Sequence, residues 1–158
     1  MEALKIQHFP EEMEQFPVDP MHLNRVPVSG LFEERARTAA GERPFYTYIP
    51  KDLEYDQQCL VIAPPAESEP VEFLRNSGLK SFADEKQVFL FLLKAENGKW
   101  DLGGRDAAYM NAVYVAGQAR DHYITMQDNF YALGFGSGAD VAHQAVMTMS
   151  SEWSGLLT

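Results

Sequence analysis

The sequence is poor in cysteine, in basic residues and in long apolar runs, and each deficit excludes a class of protein. Among its 158 residues Cys59 is the one cysteine, so an internal disulfide is excluded, and the apolar run around it indicates a buried thiol. Lys and Arg number 13 against 23 Asp and Glu, a net charge of −10. We therefore expect no nucleic-acid partner, because such binding requires cationic groups facing phosphates. The longest apolar run, VFLFLL, is about a third of a membrane span, so we also expect no membrane partner.

The N-terminal sequence MEALKIQHFPEEMEQF lacks both the basic and the apolar region of a secretory signal. A cytoplasmic location is therefore expected. The sequence contains no CxxC, no HExxH and no histidine pair at ligand spacing. We predict neither a metal site nor a cofactor.

The distribution of proline divides the chain into two parts. Residues 1–30 are acidic and contain four prolines, which predicts an irregular N-terminal arm. Residues 31–158 have the mixed composition of a globular domain. We predict that this second part forms one α/β domain.

Apolar runs alternate with helical patterns along residues 31–158. FEERARTA and PFYTYIP flank a turn at Ala40 and Gly41, which predicts an opening antiparallel hairpin. Buried strands are then predicted at 59–63, 88–93 and 129–135, and helical patterns at 71–86, 107–123 and 139–151, with Gly78 as a break and Asp106 as a helix cap. SGLLT is typical of the start of a further strand. This alternation predicts an α/β fold, a mostly parallel sheet with helices on both faces.

The sequence GFGSGA at residues 134–139 lies between a predicted strand and a predicted helix. One interpretation is the nucleophile elbow G-x-S-x-G of a serine hydrolase. Gly136 then occupies the nucleophile position, where it supplies no side chain. Ser137 lies one residue late, rotated roughly a quarter turn away, which makes it a poor candidate nucleophile.

Two other interpretations of GFGSGA stay open. Gly134, Gly136 and Ala139 satisfy the dinucleotide fingerprint G-x-G-x-x-A, which requires an acidic residue about twenty positions later at the end of a strand. Glu152 falls near that distance, but in a predicted helix-end segment. The purely structural interpretation is a tight turn whose glycines permit close packing.

Several sequence segments follow one another in an order typical of one protein family. They are ERPFYTYIP, CLVIAPP, VEFLRNSGLKSFADEK, NGKWD and FYALGFGSGADVAHQ. Through them the run from about Glu34 to Gly155 resembles the first half of the α/β-hydrolase domain of the polyhydroxybutyrate depolymerase and feruloyl-esterase-like family. The resemblance implies an α/β-hydrolase fold and a relationship to carboxylic ester hydrolases.

The chain departs from that family at the positions that carry catalysis. The family's serine falls on Gly136, and its oxyanion loop falls near Pro64 and Pro65, which have no N–H to donate. The family's acid and histidine follow the serine beyond the last residue here, and His143 lies on the helix after the elbow. The resemblance therefore implies a protein without the family's catalytic machinery.

Three functions follow as hypotheses. The first is a catalytically inactive module that binds a small acyl or carbohydrate ligand, with the binding residues Gly134, Gly136, Ser137, Gly138, Pro64 and Pro65. The second is an esterase completed by a missing C-terminal half or a second chain. The third is a dinucleotide-binding module. Because an uncovered parallel sheet edge invites pairing, we also expect a homo-oligomer or a second chain that covers it.

Overall fold

The computed structural model describes residues 11–15, 26, 28–54, 57–118 and 129–158. Its strands are β1 (Glu11–Gln15), β2 (Gly30–Thr38), β3 (Gly41–Ile49), β4 (Cys59–Ala63), β5 (Phe89–Leu93), β6 (Phe130–Gly134) and β7 (Gly155–Leu157). Its helices are α1 (Pro70–Asn76), α2 (Leu79–Lys86), α3 (Arg105–Gln118) and α4 (Gly138–Thr148). The predicted hairpin, the alternation of strands and helices, and the strand at SGLLT are confirmed.

The strands form one seven-stranded sheet in the order β1-β2-β3-β5-β4-β6-β7. β5, β4, β6 and β7 run parallel to one another, whereas β1, β2 and β3 form antiparallel pairs on one side of them. β4 lies between β5 and β6 in the sheet. The chain passes from β4 to β5 on one side of β4, and then from β5 to β6 on the other side of β4. The carboxyl ends of β4 and β6 therefore meet at a point where α/β sheets open a crevice for ligands.

The helices cover both faces of the sheet, as predicted. Buried residues of α3 and α4 share one apolar cluster with β4, β5 and β6, and those of α1 and α2 share a second cluster on the opposite face. The parallel strands β4 and β5 are buried along their whole length, which explains why they are continuously apolar in sequence. The α/β class is confirmed.

The break predicted at Gly78 separates α1 from α2. Gly78 has a φ of +83°, a conformation that glycine adopts at little cost. The two short helices therefore replace one long helix, and both lie over the same face of the sheet.

The prediction of an irregular arm over residues 1–30 is wrong for Glu11–Gln15, which form β1 and pair with β2. Val26 is also held to the core, because its N–H donates to the carbonyl of Leu53 at 2.7 Å. Residues 1–10, 16–25 and 27 lie outside the described residues. The division of the chain at residue 30 stays a prediction.

One smaller expectation, a buried thiol, is confirmed. The side chain of Cys59 is completely buried, as its apolar neighbours predicted. Across the described ranges, no helix combines the length and the apolarity that a membrane span requires.

Candidate functional site

The turn between β6 and α4 forms a tight elbow at the carboxyl edge of the sheet. The N–H of Phe135 still pairs with the Ala63 carbonyl of β4 at 3.0 Å, and the N–H of Gly138 then donates to the Phe135 carbonyl at 2.9 Å. Gly136 stands at the exposed apex with a φ of +55°. The strand–turn–helix context predicted for GFGSGA is therefore confirmed.

Two glycines of the motif let the helix pack directly on the strand. A Cβ on Gly138 would lie 2.0 Å from the Ala63 carbonyl oxygen, and a Cβ on Gly134 would lie 2.5 Å from Cα of Ala139. Both distances are far below van der Waals contact, and the atoms they would meet belong to the backbone. Gly134 and Gly138 are buried, so the structure gives them a packing role beneath the crevice.

The apex residue, Gly136, faces the loop that follows β4. A Cβ at position 136 would lie 3.3 Å from Cγ and 3.5 Å from Cβ of Pro65. A side chain at this position would therefore point into the space beside the proline ring. In this chain the apex presents a bare α-carbon and no hydroxyl group.

Ser137, the neighbouring candidate, is turned toward the same loop. Its Oγ accepts a hydrogen bond from the N–H of Ala66 at 2.9 Å. His143 is exposed on α4, and His8, His22 and His122 lie outside the described residues. Within the part of the chain that can be described, no histidine hydrogen-bonds to Ser137, whose hydroxyl accepts the Ala66 N–H.

The loop of Pro64 and Pro65 is fixed from both sides. Nε1 of Trp100 donates to the Pro64 carbonyl at 2.9 Å, and the N–H of Ser68 donates to the Pro65 carbonyl at 2.9 Å. Because proline has no N–H, the first amide after β4 is that of Ala66, which already donates to Ser137. The amide that could stabilise an oxyanion here is therefore engaged.

Aromatic rings form an apolar wall next to the elbow. Phe135 within the elbow and Phe73 on α1 meet edge to face with ring centroids 5.4 Å apart, and both are half-buried. Pro65 lies beside Gly136, so the described groups next to the elbow include three apolar side chains. Glu69, which directly precedes α1, pairs with the half-exposed Lys94 at 3.6 Å.

A second polar cluster at the carboxyl edge joins β3 to α3. Asp106 is the second residue of α3, which begins at Arg105, so the prediction that Asp106 caps this helix is wrong. Its carboxylate accepts hydrogen bonds from the N–H of Asp101 at 2.6 Å and from the buried guanidinium of Arg43. The predicted ion pairing is therefore present, but the buried arginine partner was missed because it lies 63 residues away in sequence.

Tyr109 completes this cluster. The Arg43 guanidinium carbon stacks 3.6 Å from the centroid of its ring, and its hydroxyl donates to the Pro44 carbonyl while accepting from the Lys94 N–H at 3.1 Å. Burial raises the pKa of the Tyr109 phenol well above its usual range. The phenol therefore stays protonated, and we assign this cluster a structural role.

Other predicted ligand groups are not brought to the crevice. Glu152 lies in the turn between α4 and β7, at the amino end of β7 and hence at the edge opposite the elbow. It is therefore not placed to contact the ribose of a nucleotide bound at GFGSGA. In the described ranges, no group of three or more His, Cys, Asp or Glu side chains could hold a metal ion.

Solved structures with a similar architecture include esterases and other hydrolases. Acetyl xylan esterase from Aspergillus awamori aligns with a TM-score of 0.63 at 14% identity, over 72% of this chain and 44% of that protein. The S-formylglutathione hydrolase FrmB from Staphylococcus aureus aligns with a TM-score of 0.63 at 11% identity, over 78% and 54%. The serine hydrolase FphF from the same organism aligns with a TM-score of 0.64 at 10% identity, over 80% and 55%.

These alignments show that the chain has an α/β-hydrolase fold. It spans about half the length of the three hydrolases. No protein-family model matches the sequence, and no curated protein matches it.

Proposed function

We propose that this chain is an esterase-like module without ester hydrolase activity, which binds a small acyl or carbohydrate group in the crevice at the elbow. The observation that carries the proposal is the bare α-carbon of Gly136 at the apex. Catalysis by this fold needs a nucleophile, a base and an oxyanion hole acting as a unit. The chain supplies no side chain at the first position, and it engages the nearby Ala66 amide internally.

The walls of the crevice favour an acyl group as the ligand. Pro65, Phe73 and Phe135 offer apolar surface, and the Ser137 hydroxyl beside them, which accepts from the Ala66 amide, can still donate its proton to a ligand. Apolar walls with a few placed polar groups are typical of small-molecule sites. We also propose a relationship to the polyhydroxybutyrate depolymerases, which the order of the sequence segments supports.

Hydrolysis of p-nitrophenyl acetate and butyrate tests the inactive part of the proposal. We expect no turnover above the buffer rate for the unchanged chain, for Ser137→Ala or for Gly136→Ser, since neither substitution supplies a base. Ser150→Ala, at an exposed position beyond α4, is the matched control. Turnover by the unchanged chain that Ser137→Ala abolishes and Ser150→Ala preserves would contradict the proposal.

Amide NMR titration tests the binding part. Butyrate is expected to shift the resonances of Gly136, Ser137 and Ala66 more than those of β2 or α2, with xylose as the carbohydrate comparison. Shifts spread evenly over the chain, or none, would remove the support for a ligand in the crevice.

A second candidate function is an esterase completed by further polypeptide. The observation in its favour is that the matched hydrolases are about twice as long as this chain. Such an enzyme would need Ser137 as its nucleophile. Esterase activity that appears only with a second chain present, and is lost in Ser137→Ala, would establish it.

We also propose that another chain or a second copy covers the β7 side of the sheet. The side chain of Leu157 is 62% exposed, and its neighbour across the ladder, Leu133, belongs to the core on the α1 face. An exposed parallel edge with an apolar residue is a site for pairing.

Light scattering after size exclusion measures this association. At micromolar concentration we expect a mass above that of a monomer, and Leu157→Glu should return it to the monomer. Met147→Glu, which changes a side chain 81% exposed on α4, is expected to leave the mass unchanged. A monomer for the unchanged chain would refute this expectation.

A further inference from the structure

The loop between β5 and α3 contains a tight turn at Asn97 and Gly98. Their φ angles are +53° and +68°, as expected for an Asn-Gly pair at the centre of a two-residue turn. Glu96 and Lys99 pair across the turn, where the Lys99 N–H donates to the Glu96 carbonyl at 3.1 Å. All four residues are exposed. The Asn-Gly pair therefore lies at a tip that water reaches freely.

An asparagine followed by a glycine has a reactive arrangement of backbone and side chain. The backbone nitrogen of the second residue can attack Cγ of the asparagine and close a five-membered ring, which expels ammonia. Glycine hinders this attack least, because it has no Cβ. The space that a Cβ of Gly98 would occupy is also open, with no other atom within 4 Å. In the whole sequence, Asn97 is the one asparagine that a glycine follows.

The attacking amide is not engaged in the turn. Among the described residues, no group accepts a hydrogen bond from the Gly98 N–H. The nitrogen can approach the side chain of Asn97 once the turn opens. An exposed turn closed by the bond between Lys99 and Glu96 opens at little cost in free energy, unlike a backbone segment in the core.

Two other asparagines show the contrast. Asn76 is also exposed, but the N–H of Ser77 after it donates to a carbonyl of α1 at 2.9 Å. Asn111 is buried, and its side chain is fixed by Trp153 at 3.0 Å and by a carbonyl of α4 at 3.2 Å. At these positions either the nitrogen or the side chain is held. Asn97 combines exposure, a glycine neighbour and an unengaged amide.

We propose that Asn97 is a site of covalent modification, at which its side-chain amide becomes a carboxylate through attack by the Gly98 nitrogen. The nitrogen gives up its proton to hydroxide and bonds to Cγ, while the bond from Cγ to Nδ2 breaks and ammonia leaves. Water then adds to either carbonyl carbon of the ring and opens it, which yields aspartate or isoaspartate. No oxidation or reduction occurs, and solvent water is the second reactant.

The modification changes the charge and the backbone of this loop. A new carboxylate would stand beside Glu96, which already pairs with Arg43 at 3.3 Å. Asn97 also lines a pocket of about 310 Å³ together with Arg43 and Lys94, so the pocket would become more acidic. Isoaspartate further lengthens the main chain by a methylene group, which disrupts a two-residue turn. The proposal involves neither the elbow nor a ligand bound there, so it does not depend on the proposed function.

Peptide mass spectrometry of the full folded chain, incubated in mildly alkaline buffer, tests the proposal. We expect the peptide containing Asn97 to gain the mass that separates an amide from a carboxylic acid, faster as the pH rises. Labelling by an isoaspartate-specific methyltransferase should identify part of the product as isoaspartate. The peptide containing Asn76 is the internal control, expected to react at least about tenfold more slowly because its neighbouring amide must first leave the helix.

Gly98→Asp tests the identity of the attacking residue. Aspartate tolerates a positive φ, but its Cβ hinders the nitrogen, so we expect modification of Asn97 to slow about tenfold. Ala40→Asp introduces the same side chain at an exposed turn elsewhere and should leave the rate unchanged. An Asn97 that stays unmodified, equal rates at Asn97 and Asn76, or equal rates in the two variants would overturn the proposal.

Discussion

Gly138→Ala is expected to lower the free energy of unfolding by about 3 kcal/mol, at the upper end for overpacking a tightly packed site. A methyl group at this position would lie 2.0 Å from the oxygen and 2.6 Å from the carbon of the Ala63 carbonyl, and 2.7 Å from the Pro64 carbonyl oxygen. These are backbone atoms that cannot move independently of β4. The clash of the added methyl group with these carbonyls can therefore be relieved only if α4 shifts away from the sheet.

Urea denaturation measures this loss, with Gly103→Ala as the matched control. A Cβ on Gly103 would meet only the flexible side chain of Asp101, at 3.1 Å. We expect the control to change stability by no more than about 0.5 kcal/mol, as at other tolerant surface positions. If Gly138→Ala were as stable as the control, the close packing of α4 on β4 would be refuted.

The elbow was predictable because its signals are local. A glycine motif directly after an apolar run and before a helical pattern defines a strand-to-helix turn, and the structure places Gly136 at its apex. The buried strands were predictable for the same reason, since strands covered on both faces are continuously apolar. The resemblance in segment order then indicated the α/β-hydrolase fold.

Contacts between distant residues were not predictable from these signals. The hydrogen bond from Ala66 to Ser137 joins residues 71 positions apart, and the contact of Trp100 with the Pro64 carbonyl spans 36. β1 was missed because EEMEQ is acidic and lacks a strand's apolar alternation. Its pairing depends on the edge of β2, which the local sequence does not contain.

Asp106→Asn is also expected to lower the free energy of unfolding by about 3 kcal/mol, because it removes the buried anion that pairs with the buried cation of Arg43. The side chain of Asp106 is completely buried, and that of Arg43 is 7% exposed. The remaining contacts of the guanidinium are the Lys94 carbonyl at 3.0 Å, the half-exposed Glu96 at 3.3 Å and the ring of Tyr109. Glu96 is the one carboxylate among these contacts, and its 44% exposure to solvent weakens its pairing with Arg43 relative to that of the buried Asp106.

Arg105→Gln is the control for this substitution, because it breaks ion pairs at the surface of the same helix start. Arg105 is 49% exposed and pairs with Glu96 at 2.8 Å, so we expect a loss of no more than about 1 kcal/mol. A double substitution separates the effect of charge from that of packing. Arg43→Met combined with Asp106→Leu removes both charges. We expect it to recover part of the stability that Asp106→Asn loses, since apolar replacements of buried ion pairs are often tolerated. Equal losses in urea denaturation for Asp106→Asn and Arg105→Gln would show that the pair contributes no more than a surface contact.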